Sequence, residues 1–286
     1  KFKMVIEEKN TVIKGTKGRP LLLDIFYNTA IELAPLIIFC HGYKGFKDWG
    51  AWDLFSKALA ADGIAVIKFN FSHNGGTVEQ PIDFPDLEAF GQNNYTKELE
   101  DLDCVMNWAE TTYANHPHID VSQLTLVGHS RGGGIVTLKA AEDSRVKALV
   151  SLASVSDFKS RFPKGSDLEA WKLEGVRFVM NGRTKQQMPH YYQFYEDFIE
   201  NESRLTIRTA AEQLALPHLI IHGDADTSVD LKEGLMLHSW HPKSQLLILE
   251  GANHVFGSHH PWVSSELSSY LQQIQSKITC FINNLG

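Results

Sequence analysis

The stretch Leu124-Thr125-Leu126-Val127-Gly128-His129-Ser130-Arg131-Gly132-Gly133-Gly134 decides how the chain folds. A short apolar and β-branched run ends at Gly128. A small-residue segment then leads into Ile135-Val136-Thr137-Leu138-Lys139-Ala140-Ala141, which reads as a helix. Strand, sharp turn, helix is the setting that turns G-x-S-x-G into a nucleophile elbow. A turn this tight strains the serine backbone and leaves no room for side chains on its neighbours. The Ser130 hydroxyl is then carried at the tip of the turn, with the Arg131 N–H aimed at whatever the serine attacks. The plainer alternative is a glycine-rich connection holding an ordinary serine, because the motif alone is short.

Working outward, Pro35-Leu36-Ile37-Ile38-Phe39-Cys40 is a continuous apolar run, as in a strand buried on both faces. Helical spacing of Trp52, Phe55 and Leu59 comes next, then a strand at Ile64-Ala65-Val66-Ile67-Lys68-Phe69. Residues 72–94 are polar and rich in Gly, Pro and Asn, and read as a long loop. Leu99, Leu102, Val105, Met106 and Ala109 form a helical stripe before the elbow strand. Val146-Lys147-Ala148-Leu149-Val150-Ser151-Leu152 is the strand after its helix. Such alternation predicts an α/β fold with a mostly parallel central sheet and helices on both faces. Upstream, Lys3-Met4-Val5-Ile6-Glu7 and Thr11-Val12-Ile13-Lys14 read as two strands. They precede a turn at residues 15–20 and a strand at residues 21–27, an antiparallel hairpin at the sheet edge.

The alternation breaks after Asp157. Residues 158–212 are charged and aromatic, with an Asn181-Gly182 turn signal, and read as a small cap after the sixth strand. The core domain is then residues 1–157 and 213–286. It resumes at His218-Leu219-Ile220-Ile221-His222 and Gln245-Leu246-Leu247-Ile248-Leu249. It closes with a helix striped by Leu267, Leu271, Ile274, Ile278 and Phe281.

A chain of 286 residues with 43% hydrophobic and 21% charged content supports a sizeable core. Its formal net charge of -7 disfavours nucleic acid and anionic membranes as partners. No apolar run approaches the ~20 residues of a membrane span. Lys1-Phe2-Lys3-Met4 opens no apolar leader, so a cytoplasmic protein is expected. Cys40, Cys104 and Cys280 are too few and too scattered for a disulfide framework or a zinc site, and read as packed thiols.

A serine hydroxyl is a poor nucleophile until a histidine takes its proton and a carboxylate orients that histidine. Position selects among the 13 histidines. His254 comes after the last strand pattern, on a loop at a strand's C-terminal end, where α/β sites collect. His222 directly precedes the acid-bearing loop, and His259 and His260 lie beyond, beside Pro261. For the acid, Asp157, Asp224, Asp226 and Asp230 all keep the chain order Ser…Asp…His. Asp224 suits a turn-closing role and Asp230 a helix cap. His41-Gly42-Tyr43 comes directly after a buried strand. Its turn would free the Tyr43 N–H to join the Arg131 N–H as an oxyanion hole, each donor worth roughly 3 kcal/mol.

These features together resemble the α/β-hydrolase superfamily. Gly223-Asp224-Ala225-Asp226-Thr227-Ser228-Val229 resembles its G-x-x-D-x-x-V loop, which places the triad acid at Asp226. Gly251-Ala252-Asn253-His254 resembles its histidine loop. Residues 69–76 resemble, with departures, the segment after its fourth strand. The chain is most similar to the dienelactone-hydrolase-like and hydroxycinnamoyl (feruloyl) esterase branches. Dienelactone hydrolases proper use cysteine, and Ser130 departs from that. The resemblance implies an α/β-hydrolase fold and a serine esterase acting on a small-molecule ester, with no cofactor and no metal. Tyr191, Tyr192, Phe194 and Tyr195 in the insertion would wall the acyl site. A small-substrate peptidase or amidase with the same triad, and a non-catalytic binder on the same fold, are the rivals.

Overall fold

The computed structural model describes residues 4–285; Lys3, expected at the start of a strand, and the opening residues Lys1 and Phe2 lie outside them. Eight strands form one sheet. They are β1 (Val5–Lys14), β2 (Pro20–Asn28), β3 (Ala34–Cys40), β4 (Ala65–Asn70), β5 (Ile119–His129), β6 (Val146–Leu152), β9 (His218–Gly223) and β10 (Gln245–Leu249), in the order β1-β2-β4-β3-β5-β6-β9-β10. β1 pairs antiparallel with β2, and β2 with β4; every other neighbouring pair is parallel. The two N-terminal strands expected at residues 3–7 and 11–14 are one strand. A bulge between Glu8 and Thr11, with Asn10 at φ 59°, keeps both halves paired to β2.

Each parallel strand feeds two cores, because side chains alternate faces with a period of two. Leu36 and Ile38 of β3 pack with α3 (Tyr95–Thr112) and α4 (Arg131–Glu142). Ile37 and Phe39 pack with α1 (Trp52–Ala61) and α9 (Ser269–Asn283). Burying such a side chain contributes about 1.5–3 kcal/mol, which explains why these runs carry almost no polar residue. α4 starts at Arg131, four residues before the helix expected from Ile135, so the glycines belong to its first turn. Residues 72–94 are not wholly loop. Asp86 accepts a hydrogen bond from the Ala89 N–H and starts a short α2 (Leu87–Gly91). Of the cysteines, Cys40 is buried, Cys104 half-buried and Cys280 exposed on α9, so Cys280 is not the packed thiol expected.

Between β6 and β9 the chain leaves the sheet. It forms α5 (Ser166–Glu174), a separate antiparallel pair β7 (Val176–Met180) and β8 (Gln187–Tyr191), α6 (Gln193–Glu200) and α7 (Ile207–Gln213). The turn between β7 and β8 spans residues 181–186, longer than a two-residue Asn-Gly turn. This segment is anchored by aromatic packing: Tyr95 of α3 stacks on Phe158 at 3.8 Å and meets Phe194 at 4.8 Å. α8 (Leu231–Trp240) lies between β9 and β10 in sequence. No described helix is long and apolar enough to cross a membrane.

Candidate active site

Ser130 sits between β5 and α4 with φ 56° and ψ -119°, a conformation that L-residues hold only when their surroundings dictate it. Its N–H donates to the Leu152 carbonyl at 2.9 Å, and its own carbonyl accepts from the Gly133 N–H at 3.0 Å and the Val155 N–H at 3.3 Å. Three bonds from two neighbouring segments thus lock the turn. A side chain on Gly132 would drive into the carbonyls of Cys40 and His41. One on Gly42 would lie 2.9 Å from the Ser130 Cβ, so the His-Gly turn is pressed directly against the elbow. That turn is itself fixed by His41, whose Nδ1–H donates to the Gly42 carbonyl at 2.9 Å and whose Nε2 accepts from the Phe71 N–H at 3.2 Å. Burial holds this imidazole neutral, at a pKa of about 4. The Arg131 N–H opens α4 and has no acceptor within the helix.

Asp226 and His254 come from the loops after β9 and β10, two adjacent parallel strands, and their side chains meet. His254 Nδ1 donates to Asp226 Oδ2 at 2.8 Å. That bond fixes the tautomer and leaves Nε2 as an acceptor. The other carboxylate oxygen accepts from the Ser228 and Val229 N–H groups at 2.8 and 2.9 Å. His222 Nε2 donates to the Val229 carbonyl at 2.8 Å and lies 3.5 Å from Asp226 Oδ2. Burial alone would raise this carboxyl group. The hydrogen bonds from His222, His254 and the Val229 N–H outweigh it and hold the group well below the usual carboxylate range.

The competing aspartates have other work. Asp224 accepts from the Gly251 N–H at 2.7 Å and ties the acid loop to the histidine loop. Asp230 caps α8 through the Lys232 N–H. Asp157 accepts from the Lys159 and Ser160 N–H groups. His129, inside the G-x-S-x-G motif, carries a role that sequence reasoning misses. Its Nε2–H donates to the His254 backbone carbonyl at 2.8 Å, and its ring lies 4.8 Å from the His254 ring. The histidine loop is therefore strapped to the elbow.

Ser130, Arg131, Tyr43 and His254 share the wall of one cavity of about 390 Å³. Among the described residues, no hydrogen bond joins the Ser130 hydroxyl to the His254 ring. A second serine–histidine pair, Ser151 and His218 at 2.8 Å, is fully buried between β6 and β9 and does not reach this cavity. The one acidic cluster with ligand-like spacing among the described residues is Asp24, Asp48 and Asp53. Lys68 Nζ sits among all three at 2.5–2.7 Å, with Lys47 and Lys9 beside it, so lysines already balance these carboxylates.

A family profile described as the alpha/beta hydrolase fold matches residues 35–174, the span from β3 through the elbow to α5. The chain has the α/β-hydrolase fold. Solved structures with this fold cover the chain almost end to end. Est1E from Butyrivibrio proteoclasticus with ferulic acid bound is 17% identical with a TM-score of 0.69, covering 96% of this chain and 98% of that one. A putative dienelactone hydrolase from Klebsiella pneumoniae subsp. pneumoniae MGH 78578 is 17% identical with a TM-score of 0.63, covering 98% and 99%. At such identity the likeness is one of fold. An uncharacterized 31.7 kDa protein of Escherichia coli, from the traX-finO intergenic region, is 33% identical over 126 residues. That match takes in 43% of this chain and only 38% of the relative.

The wall of the cavity differs from the one expected. Of the four aromatics named from the sequence, only Phe194 lines it. The Tyr191 hydroxyl turns outward to Glu88 at 2.5 Å, while Tyr192 and Tyr195 pack on each other and on Trp171. The reason is helical geometry. Phe194 and Phe198 are four apart on α6 and share its buried face, and Tyr192 and Tyr195 fall off it. Tyr95, Phe162, Trp171, Arg161, Arg177 and His190 are also in the wall. The i, i+4 spacing of the two phenylalanines is the signal that would have picked out Phe194.

Proposed function

We propose that this protein is a serine hydrolase that cleaves carboxylic esters. The observation carrying this is the 2.8 Å bond between Asp226 and His254, opening on the cavity that also receives the elbow serine. His254 Nε2 takes the Ser130 proton as the hydroxyl oxygen attacks the ester carbonyl, and Asp226 stabilises the imidazolium that forms. The Tyr43 and Arg131 N–H groups hold the oxyanion. The proton passes to the leaving alcohol, and an acyl-enzyme remains on Ser130. Water activated by His254 then releases the acid. A serine–histidine bond that closes only with substrate bound is ordinary for such enzymes. Residues 158–212 act as a cap that roofs the site, with its aromatic rings against the acyl group. The ferulic acid bound by the structurally similar Est1E supports an aromatic acyl group.

The test is steady-state hydrolysis of p-nitrophenyl and methyl hydroxycinnamate esters by wild type and Ser130→Ala, with a fluorophosphonate probe to label the nucleophile. Turnover and labelling that both vanish in the variant are expected. Turnover that survives removes Ser130 from the chemistry, and failure of the wild type to label favours a binding protein on the same fold. Faster turnover of aminoacyl amides than of esters would favour the peptidase.

A further inference from the structure

The cavity wall carries three arginines, Arg131, Arg161 and Arg177, and no aspartate or glutamate. This is unexpected in a chain of net charge -7. The three cations are not equally satisfied. Arg161 is closed off by Glu233 at 2.5 Å. Arg131 reaches Glu98 only at 3.5 Å, although its side chain is just 15% exposed. Arg177 makes no ion pair among the described residues.

Both under-neutralised guanidinium groups lie on aromatic rings. Arg131 is 4.4 Å from the Tyr43 centroid and 5.4 Å from that of Phe194, and Arg177 is 5.5 Å from that of Trp171. Stacking occupies the face of a guanidinium and leaves its N–H edges available, and among the described residues Arg131 spends only one of its donors, on Glu98. Half-buried cations with spare donors are costly unless an anion arrives with the ligand. The field they make is felt nearby: burial, then Arg131 and Arg177, hold His190 down at about 3.

We propose that the cavity selects esters bearing a separate carboxylate, and that Arg177, with Arg131, receives it. A carboxylate matches the planar fork of a guanidinium oxygen for nitrogen. The aromatic rings around the arginines suit a flat spacer between that carboxylate and the ester. This rests on the esterase function proposed for the same cavity and adds the substrate's charge to it.

The experiment compares methyl 4-carboxycinnamate with methyl 4-methylcinnamate, a pair alike in shape and different in charge. kcat/KM is measured for both on wild type, Arg177→Gln and Arg177→Lys, with melting curves for each protein. Calorimetric binding of the same pair to Ser130→Ala reads charge selection without turnover. We expect wild type to favour the carboxylate ester by about tenfold or more, the worth of one charge-assisted bond. The ratio should collapse in Arg177→Gln, recover in part in Arg177→Lys and shrink with added salt. Equal turnover of the two esters, or a ratio untouched by Arg177→Gln in folded protein, overturns the inference and leaves the esterase standing. Charge-selective binding without hydrolysis of either ester does the reverse. Neither turnover nor charge-selective binding overturns both.

Discussion

Replacing Asp226 by asparagine changes one atom and one charge, and it reverses the tautomer of His254. The amide oxygen has its place fixed, because the position of Oδ1 accepts two backbone N–H groups, at 2.8 and 2.9 Å. The amide nitrogen must then face His254, where an acceptor stood at 2.8 Å. It donates, so His254 Nδ1 has to accept, and the ring proton moves to Nε2. A histidine in that tautomer cannot take a proton from Ser130. The expected loss is about 10⁴-fold in kcat, roughly 5 kcal/mol of barrier. Stability should fall far less, by about 1–2 kcal/mol for the weakened charge-assisted bonds. The sign with pH is also fixed. The folded carboxyl group is held well below its ordinary value, so its stabilisation is present above about pH 4 and lost as pH falls further. The stability gap between wild type and Asp226→Asn should therefore close in acid. Hydrolysis of p-nitrophenyl acetate, fluorophosphonate labelling rate and melting curves at pH 7 and pH 3 measure all three. A variant that melts normally and keeps kcat within about tenfold would refute the assignment of acid and base.

Two further outcomes test the scaffold. Gly132→Ala places a methyl group 2.6 Å from the His41 carbonyl and should cost about 1–3 kcal/mol in urea denaturation, whereas Gly182→Ala, with nothing within 4 Å, should be nearly silent; equal stability of the two would mean the elbow is not tightly packed. Burial holds His218 at about 3, against an ordinary value of 6.5, so the unfolded chain gains a proton that the folded one refuses as pH falls. His218→Asn should flatten the decline in stability below pH 6.5 by up to about 1.4 kcal/mol per pH unit, and a slope identical to wild type would show that His218 titrates normally.

The strands and the order of the site loops were legible because they rest on runs that admit one interpretation. Residues 36–40 and 146–152 are apolar with little interruption, and runs this short with β-branched residues suit a strand covered on both faces better than a helix. The candidate acid was less legible. Four aspartates satisfied the chain order, and what separates Asp226 from Asp224 is which one meets a histidine 28 residues on. The start of α4 was hidden because three glycines carry no helical stripe, although close approach to Cys40 and His41 is what requires Gly132. The cavity wall was the least legible part. Arg177 and Trp171 lie 46 and 40 residues beyond Arg131 by their numbers, in a stretch where charged and aromatic residues alternate without period. Aromatic density alone pointed to Tyr191, Tyr192 and Tyr195; Tyr191 ends β8 and turns to Glu88, while the start of α6 at Gln193 sets the other two off its buried face.

The residues proposed to break the bond and most of those the cap lends to the cavity wall have separate addresses in this chain. Ser130, Asp226 and His254 hang from strand ends that the whole sheet holds in register, while Arg177, Trp171 and Phe194 belong to a stretch outside that sheet. If the proposed roles hold, a lineage carrying this architecture can change ligands through the cap while its reaction stays put, and kinship judged by the elbow will say little about diet.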